Sequence, residues 1–360
     1  MKNIGNNLQP LCIMPNGKLL CYRCGVIYLL DKDIVEKKYL IFRNIRETIL
    51  GSSRYLFRLL RLGIRTAEPI DNENVIISIG NMLYELNLNE GIISKGYFCG
   101  IGIRPLKFTK VLGLNNIQDG IYFGGYLSNS EKKEVKIYRR ISIDKWEIVY
   151  VFPNGVINHV HTIVSDKYRE CLWIFTGDFD ESSAIWKVES NFKKVQRVAY
   201  NHQKYRGCVA FALPDGLLYA TDAPFEDNYI YMMQTNPLVI NKITSIHGSC
   251  IYGCQWKDKY VFSSTVEGDG RNTSRLEFLF GRKKGIGIKD DYVHIYIGNL
   301  VEGFREIYKE KKDFLPYYTF QFGVFKFPSG INNSDTLYFQ PVATDKNDLN
   351  LMSITEYEVG

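Results

Sequence analysis

The sequence predicts an all-β protein built as a β-propeller, and three observations predict it. Short apolar runs of strand length follow one another through the 360 residues, separated by Gly, Asn, Asp and Pro turns. Aromatic residues make up 14% of the chain, with 25 tyrosines and 21 phenylalanines, a bias toward sheets over helical bundles. The runs also recur in a fixed order. CIMPNGKLLCYRCG, IVSDKYRECLWIFTGD and FALPDGLLYATD each give an extended run, a polar turn, then a second run ending in small or polar residues. Four antiparallel strands per repeat, arranged radially, hide the sheet edges that an open sheet would expose.

In chain order the repeats fall near residues 11–45, 63–98, 103–152, 159–200, 206–246, 248–310 and 320–358, which gives seven blades within one domain, 1–360. Six is the alternative count, if incomplete first and last units jointly form one blade closed by strands from both termini. Third strands are expected at GNMLYELNLN, VKIYRRIS, SAIWKVES, YIYMMQ and SRLEFLF, and fourth strands at WEIVYVF and KVQRVAY. A pair of β-sandwiches accounts less well for the repeated turns. Between the first two repeats lies a basic insertion around 43–62, carrying Arg43, Arg46, Arg54, Arg58 and Arg61 and ending near Arg65. Its apolar spacing predicts a short amphipathic helix with a solvated basic face.

The formal charge of +6 gives an electropositive surface that attracts anionic polymers without choosing among them. The basic insertion lacks the aromatic interleaving of a single-strand platform, so a nucleic-acid partner is not favoured. The start of the chain lacks a signal-like apolar core, and no later run is long and apolar enough to span a bilayer, so the default expectation is cytoplasmic. Eight cysteines within apolar strands read as buried thiols, and Cys21 and Cys24 form a CxxC with no second pair at zinc-finger spacing. No GxSxG, GKS/T or glycine-rich dinucleotide loop is present, which sets serine hydrolases and nucleotide-dependent enzymes aside. Oligomeric state leaves no mark in the sequence.

In propeller geometry the loop leading into a first strand and the loop leaving the second open on the same face. In the fourth repeat this brings His159 and His161 together with Asp178, Asp180 and Glu181. Elsewhere the same rule nominates Arg65, Arg104, Arg206, His247 and Gln321 before first strands, and Tyr126, Asp222, Glu226, Glu267 and Asp269 after second strands. Such a ring suits a polar, anionic ligand, because guanidinium groups clamp carboxylates. His159 and His161 share a face of a regular strand, which frames a two-histidine site for a divalent metal with His247, Asp178 or Gln203 as third donor. The lead reading assigns no cofactor. Asp178, Asp180, Asp222 and Glu267 are the carboxylates available for glycoside hydrolysis. A lyase would use His161 or Tyr205 as base and Arg206 to stabilise an enolate.

Residues 120–275 resemble bacterial sialidase-like, BNR-repeat propeller proteins. DFDESSAIW is similar to the Asp-box turn SxDxGxTW, with Asp180 at the aspartate and Trp186 at the aromatic position, Ser183 replacing the glycine and Ile185 the threonine. An Asp box implies a turn between outer strands of a blade. Sialidases also imply an arginine triad, an assisting glutamate and a carboxylic acid, here Arg65, Arg104 and Arg206, then Glu267, then Asp178. The arginine-isoleucine-proline motif and a defined tyrosine nucleophile are missing from this chain.

The sequence thus leads to a propeller acting on or binding an acidic or polyhydroxylated glycan, with His161, Asp178, Arg206, Asp222 and Glu267 as catalytic candidates. The ligand-binding candidates are Arg65, Arg104, His159, Asp180, Gln203, Tyr205, His247 and Gln321. Polysaccharide lyase and non-enzymatic protein scaffold are the alternatives.

Overall fold

A computed structural model describes residues 1–41, 48–271 and 274–359. It contains seven antiparallel sheets, the blades of a seven-bladed β-propeller. The first is formed by Gln9–Ile13, Leu19–Arg23, Val26–Asp31 and Ile34–Leu40, paired in that order. The second runs from Thr66–Pro69 through Asn74–Ile79 and Met82–Asn87 to Tyr97–Phe98, with Ile92–Ile93 also on the third strand. Thr109–Val111, Gly120–Gly124, Val135–Ser142 and Lys145–Phe152 make the third. His159–Asp166, Cys171–Gly177, Ala184–Glu189 and Lys194–Tyr200 make the fourth. The fifth comprises Gly207–Leu213, Gly216–Thr221, Asn228–Thr235 and Leu238–Ile246, and the sixth Cys250–Trp256, Lys259–Ser264, Tyr292–Asn299 and Gly303–Lys311. In the seventh, Val324–Lys326, Thr336–Val342 and Leu351–Thr355 are completed by Lys2–Gly5 from the start of the chain.

The six-blade alternative therefore falls. The first repeat has four strands of its own, and the extra N-terminal strand fills the vacant outer place in the last. By internal contacts the chain divides into two compact units. One comprises Met1–Ile64, Ala223–Asn228 and Thr244–Gly360, and the other Arg65–Asp222 and Tyr229–Ile243.

The first strands Gln9–Ile13 and His159–Asp166 and the second strands Cys171–Gly177 and Gly216–Thr221 are buried almost throughout, which explains why they read as continuous apolar runs. Cys171–Gly177 is buried throughout, whereas Lys145–Phe152 is buried only at Phe152. Within the second unit, the third and fourth sheets enclose Val111, Tyr122, Ile137, Phe152, Ile174 and Trp186. In the first unit, Trp256, Val261, Ile295, Phe325 and Phe339 form the counterpart core. First strands repeat one irregularity. Their register slips at Leu11, His161, Cys208 and Ile251, so four blades carry a bulge at the same place.

Three expectations are corrected. SRLEFLF does not form the third strand of the sixth blade; Tyr292–Asn299 does. Ser274 instead caps a helix over Arg275–Phe280, with reciprocal Ser274 and Glu277 bonds that favour helix over strand. The segment DFDESSAIW lies between the second and third strands, with a 3-10 turn at Asp180–Ser182, whereas an Asp box joins outer strands. The basic insertion does contain a helix, Arg54–Leu59, but Arg58 is fully buried there and not solvated. Arg43 and Arg46 lie outside the described residues. Seven of the eight cysteines are buried, Cys24 being intermediate, and burial pushes the Cys21 thiol well up.

Candidate functional site

The second unit gathers five of the nominated side chains into one network. His159 begins the first strand of the fourth blade opposite Gly177, and the bulge follows at His161. Their Nε2 atoms lie 3.0 Å apart. A Cβ on Gly177 would sit 2.3 Å from His161 Cε1, so only glycine at this position lets the imidazole rest against the second strand. The chain leaves that strand through Asp178, whose Oδ1 lies 3.2 Å from His159 Nε2 and 3.3 Å from His161 Nε2.

Arg206, just before the first strand of the fifth blade, ties the two blades together. Its Nη2 is 3.1 Å from Asp178 Oδ1, its Nη1 donates to the Asp178 carbonyl at 3.2 Å, and its Nε donates to Asp222 Oδ2 at 3.3 Å. Cys208, at the bulge position matching His161, donates its thiol to the same Asp222 oxygen at 3.4 Å. Gln203 Nε2 donates to the Asp178 carbonyl at 2.9 Å, and Tyr205 closes the same 3-10 turn half-buried. Above the histidines, the Tyr126 ring lies 4.3 Å from His159, with the Arg65 guanidinium 5.2 Å from Tyr126.

The cluster is mostly buried. His159, His161, Arg206 and Asp222 are at most 8% exposed, whereas the Asp178 side chain is 30% exposed and forms the rim. Burial opposes ionisation of Asp178, but His159, His161 and Arg206 together hold its carboxyl far below the usual carboxylate range. Burial pushes His161 down, against the pull of Asp178, and so favours a neutral imidazole. His159 Nδ1 lies 3.0 Å from the Leu127 carbonyl, which can only accept. In the neutral ring that bond places the proton on Nδ1 and leaves Nε2 as a lone pair facing the cluster. Asp178 and Asp222 balance Arg206 and Arg65, so the site carries little net charge.

The remaining candidates have other partners. Arg104 is exposed and pairs with Tyr126 through the backbone. The Asp180 side chain lies outside the described residues. Glu267, His247 and Gln321 belong to the first unit. There Glu267 accepts from Thr265 Oγ1 at 3.3 Å, and Gln321 donates to the Arg58 carbonyl at 3.1 Å. His247 stacks on His294 with centroids 4.3 Å apart and bonds Tyr296 Oη, while His294 bonds Glu306 at 2.7 Å and Asp290 at 3.0 Å. Cys208 and Gly177 escaped sequence reasoning. Superposing the repeats could have found Cys208, because HVH and RGC occupy the same place.

No family model and no curated protein matches the chain. Among solved structures, it is similar to the β-propeller domain of Cps50 (Swd1) from Myceliophteria thermophila, at 9% identity and a TM-score of 0.52, over 98% of this chain and 96% of that one. Kuenenia stuttgartiensis hydrazine synthase is similar at 9% identity and a TM-score of 0.51, over 99% and 96%. Dihydro-heme d1 dehydrogenase NirN matches at 12% identity and a TM-score of 0.50 over 97% of this chain, which spans 61% of NirN. At such identities the likeness is one of fold alone.

Proposed function

We propose that the chain binds a polyhydroxylated, anionic glycan at the Asp178 rim of the His159, His161, Arg206 and Asp222 cluster. The observation that supports this reading is Phe179, next in the chain to Asp178, 44% exposed and with its ring 5.2 Å from the Arg206 guanidinium. A partly exposed aromatic side chain beside a few fixed polar groups suits a sugar, which offers C–H groups to the ring and hydroxyls to the carboxylate and guanidinium.

Of the two cleavage chemistries, elimination fits the charge states better than hydrolysis. A hydrolase needs a carboxylic acid that holds its proton, whereas Asp178 is kept ionised. A neutral His161 can take the proton next to a uronate carboxylate, with Arg206 stabilising the enolate. The carbon–oxygen bond at the neighbouring carbon then breaks, a double bond forms, and the leaving oxygen takes a proton from water. Burial of seven of the eight cysteines suits thiols in a reducing compartment, so a cytoplasmic site of action accompanies this reading.

Calorimetry and mass spectrometry with a panel of neutral and uronate-bearing oligosaccharides test it. Saturable binding that Phe179→Ala weakens about 10-fold or more is expected, in line with loss of an aromatic contact. Products without added water would identify elimination, and products heavier by water hydrolysis. An absence of saturable binding across the panel overturns the proposal. A protein-docking role is the second reading, favoured by exposed Leu276, Phe278, Phe280 and Ile286 in the first unit. A stable partner lost on Phe280→Glu, with no glycan bound, would select it.

A further inference from the structure

Three ligand-type atoms converge at the heart of the cluster. His159 Nε2, His161 Nε2 and Asp178 Oδ1 form a triangle with edges of 3.0, 3.2 and 3.3 Å. The Leu127 carbonyl accepts from His159 Nδ1 at 3.0 Å and so turns Nε2 toward the other two atoms. His161 Nδ1 is buried with no hydrogen-bond partner. Two imidazole nitrogens and a carboxylate oxygen meeting at one point inside the protein are a donor set suited to a transition metal.

The dimensions also fit a metal ion. Zinc bonds of about 2.0–2.1 Å in tetrahedral geometry separate ligand atoms by about 3.3–3.4 Å. Octahedral bonds of about 2.1 Å bring adjacent ligands to about 3.0 Å. The observed edges fall within that interval. We propose that His159 Nε2, His161 Nε2 and Asp178 Oδ1 form a three-donor site for a divalent first-row transition metal ion, with further coordination positions on the exposed Asp178 side. Two imidazoles and one carboxylate select such ions over magnesium or calcium, which prefer oxygen.

The surroundings match what a ligand set needs. Leu127 orients His159, and Arg206 Nη2 at 3.1 Å takes a further lone pair of the ligating Asp178 oxygen. His161, Cys208 and Asp222 also bring ligand atoms within 4.8 Å of one another. A bound ion would occupy the His161 Nε2 lone pair and so exclude His161 as the base of an elimination, and the proposal stands without the glycan reading.

Full-length protein stripped by chelator and titrated with cobalt(II) alone tests this by calorimetry and visible absorption. One ion per chain is expected, with visible ligand-field bands, no thiolate charge-transfer band and a raised thermal midpoint. His159→Asn and Asp178→Asn should each weaken binding at least about 100-fold, since each removes a ligand outright. His202→Asn should leave it unchanged, since that ring accepts from the Lys204 amide outside the cluster. Lack of saturable binding by the folded wild-type protein overturns the proposal, whatever the variants do. Undiminished affinity in both folded variants, or a strong thiolate band assigning Cys208 as ligand, overturns it as well. No sugar enters the experiment, so its failure is separate from failure of glycan binding.

Discussion

Gly177 shows how one residue without a side chain can position a site. Its missing Cβ makes room for the His161 ring, which a methyl group would meet at 2.3 Å. Gly177→Ala should therefore cost about 1–3 kcal/mol, as overpacked buried positions do. Urea denaturation measures that loss, and cobalt(II) affinity should fall with it as His161 moves. At this scale much of the site was legible. Strand periodicity and the shared end of first and second strands named His159, His161, Asp178, Arg206 and Asp222, and the structure joins all five. The same rule also named Glu267, His247 and Gln321, which find partners in the other unit. A strand-end position says that a side chain sits at a loop, but not which neighbour it meets.

The helix Arg54–Leu59 carries the clearest difference between composition and outcome at the scale of an element. Arg58 bonds both Asp313 and Asp348, the latter at 2.9 Å, and its Nε donates to the Phe320 carbonyl at 2.9 Å. Lys312 adds a second cation to the buried pair of aspartates. Arg58→Met should destabilise the protein by about 3–5 kcal/mol, because two buried carboxylates lose their main counter-charge. Adding Asp313→Asn and Asp348→Asn should recover part of that loss, and chemical denaturation of the wild-type protein, the single variant and the triple variant checks both expectations. The helix was legible from its apolar spacing. Burial of its arginine was not, because the two aspartates lie 255 and 290 residues away in sequence. SRLEFLF fails for a different reason: its short apolar run fits strand or helix, and the Ser274 cap decides.

At the scale of the molecule, the last blade depends on the first residues of the chain. Lys2 pairs with Ser353 and Asn3 with Met352, so Lys2–Gly5 covers the edge of Leu351–Thr355. Deleting residues 1–6 should lower the thermal midpoint and promote association through that uncovered edge, as read by calorimetry and light scattering. The sequence by itself determined the propeller class and the repeat unit, because hydrophobic periodicity, turn residues and aromatic content are local properties that every blade repeats. It also determined which strand ends carry polar groups. Only the tertiary structure decided that seven blades form with a terminal strand completing the last. It alone decided that Arg58 is buried between aspartates, and that His159, His161 and Asp178 converge to within 3.3 Å. Those outcomes depend on contacts between residues far apart in the chain, and distances across strands and blades have no local signature in sequence.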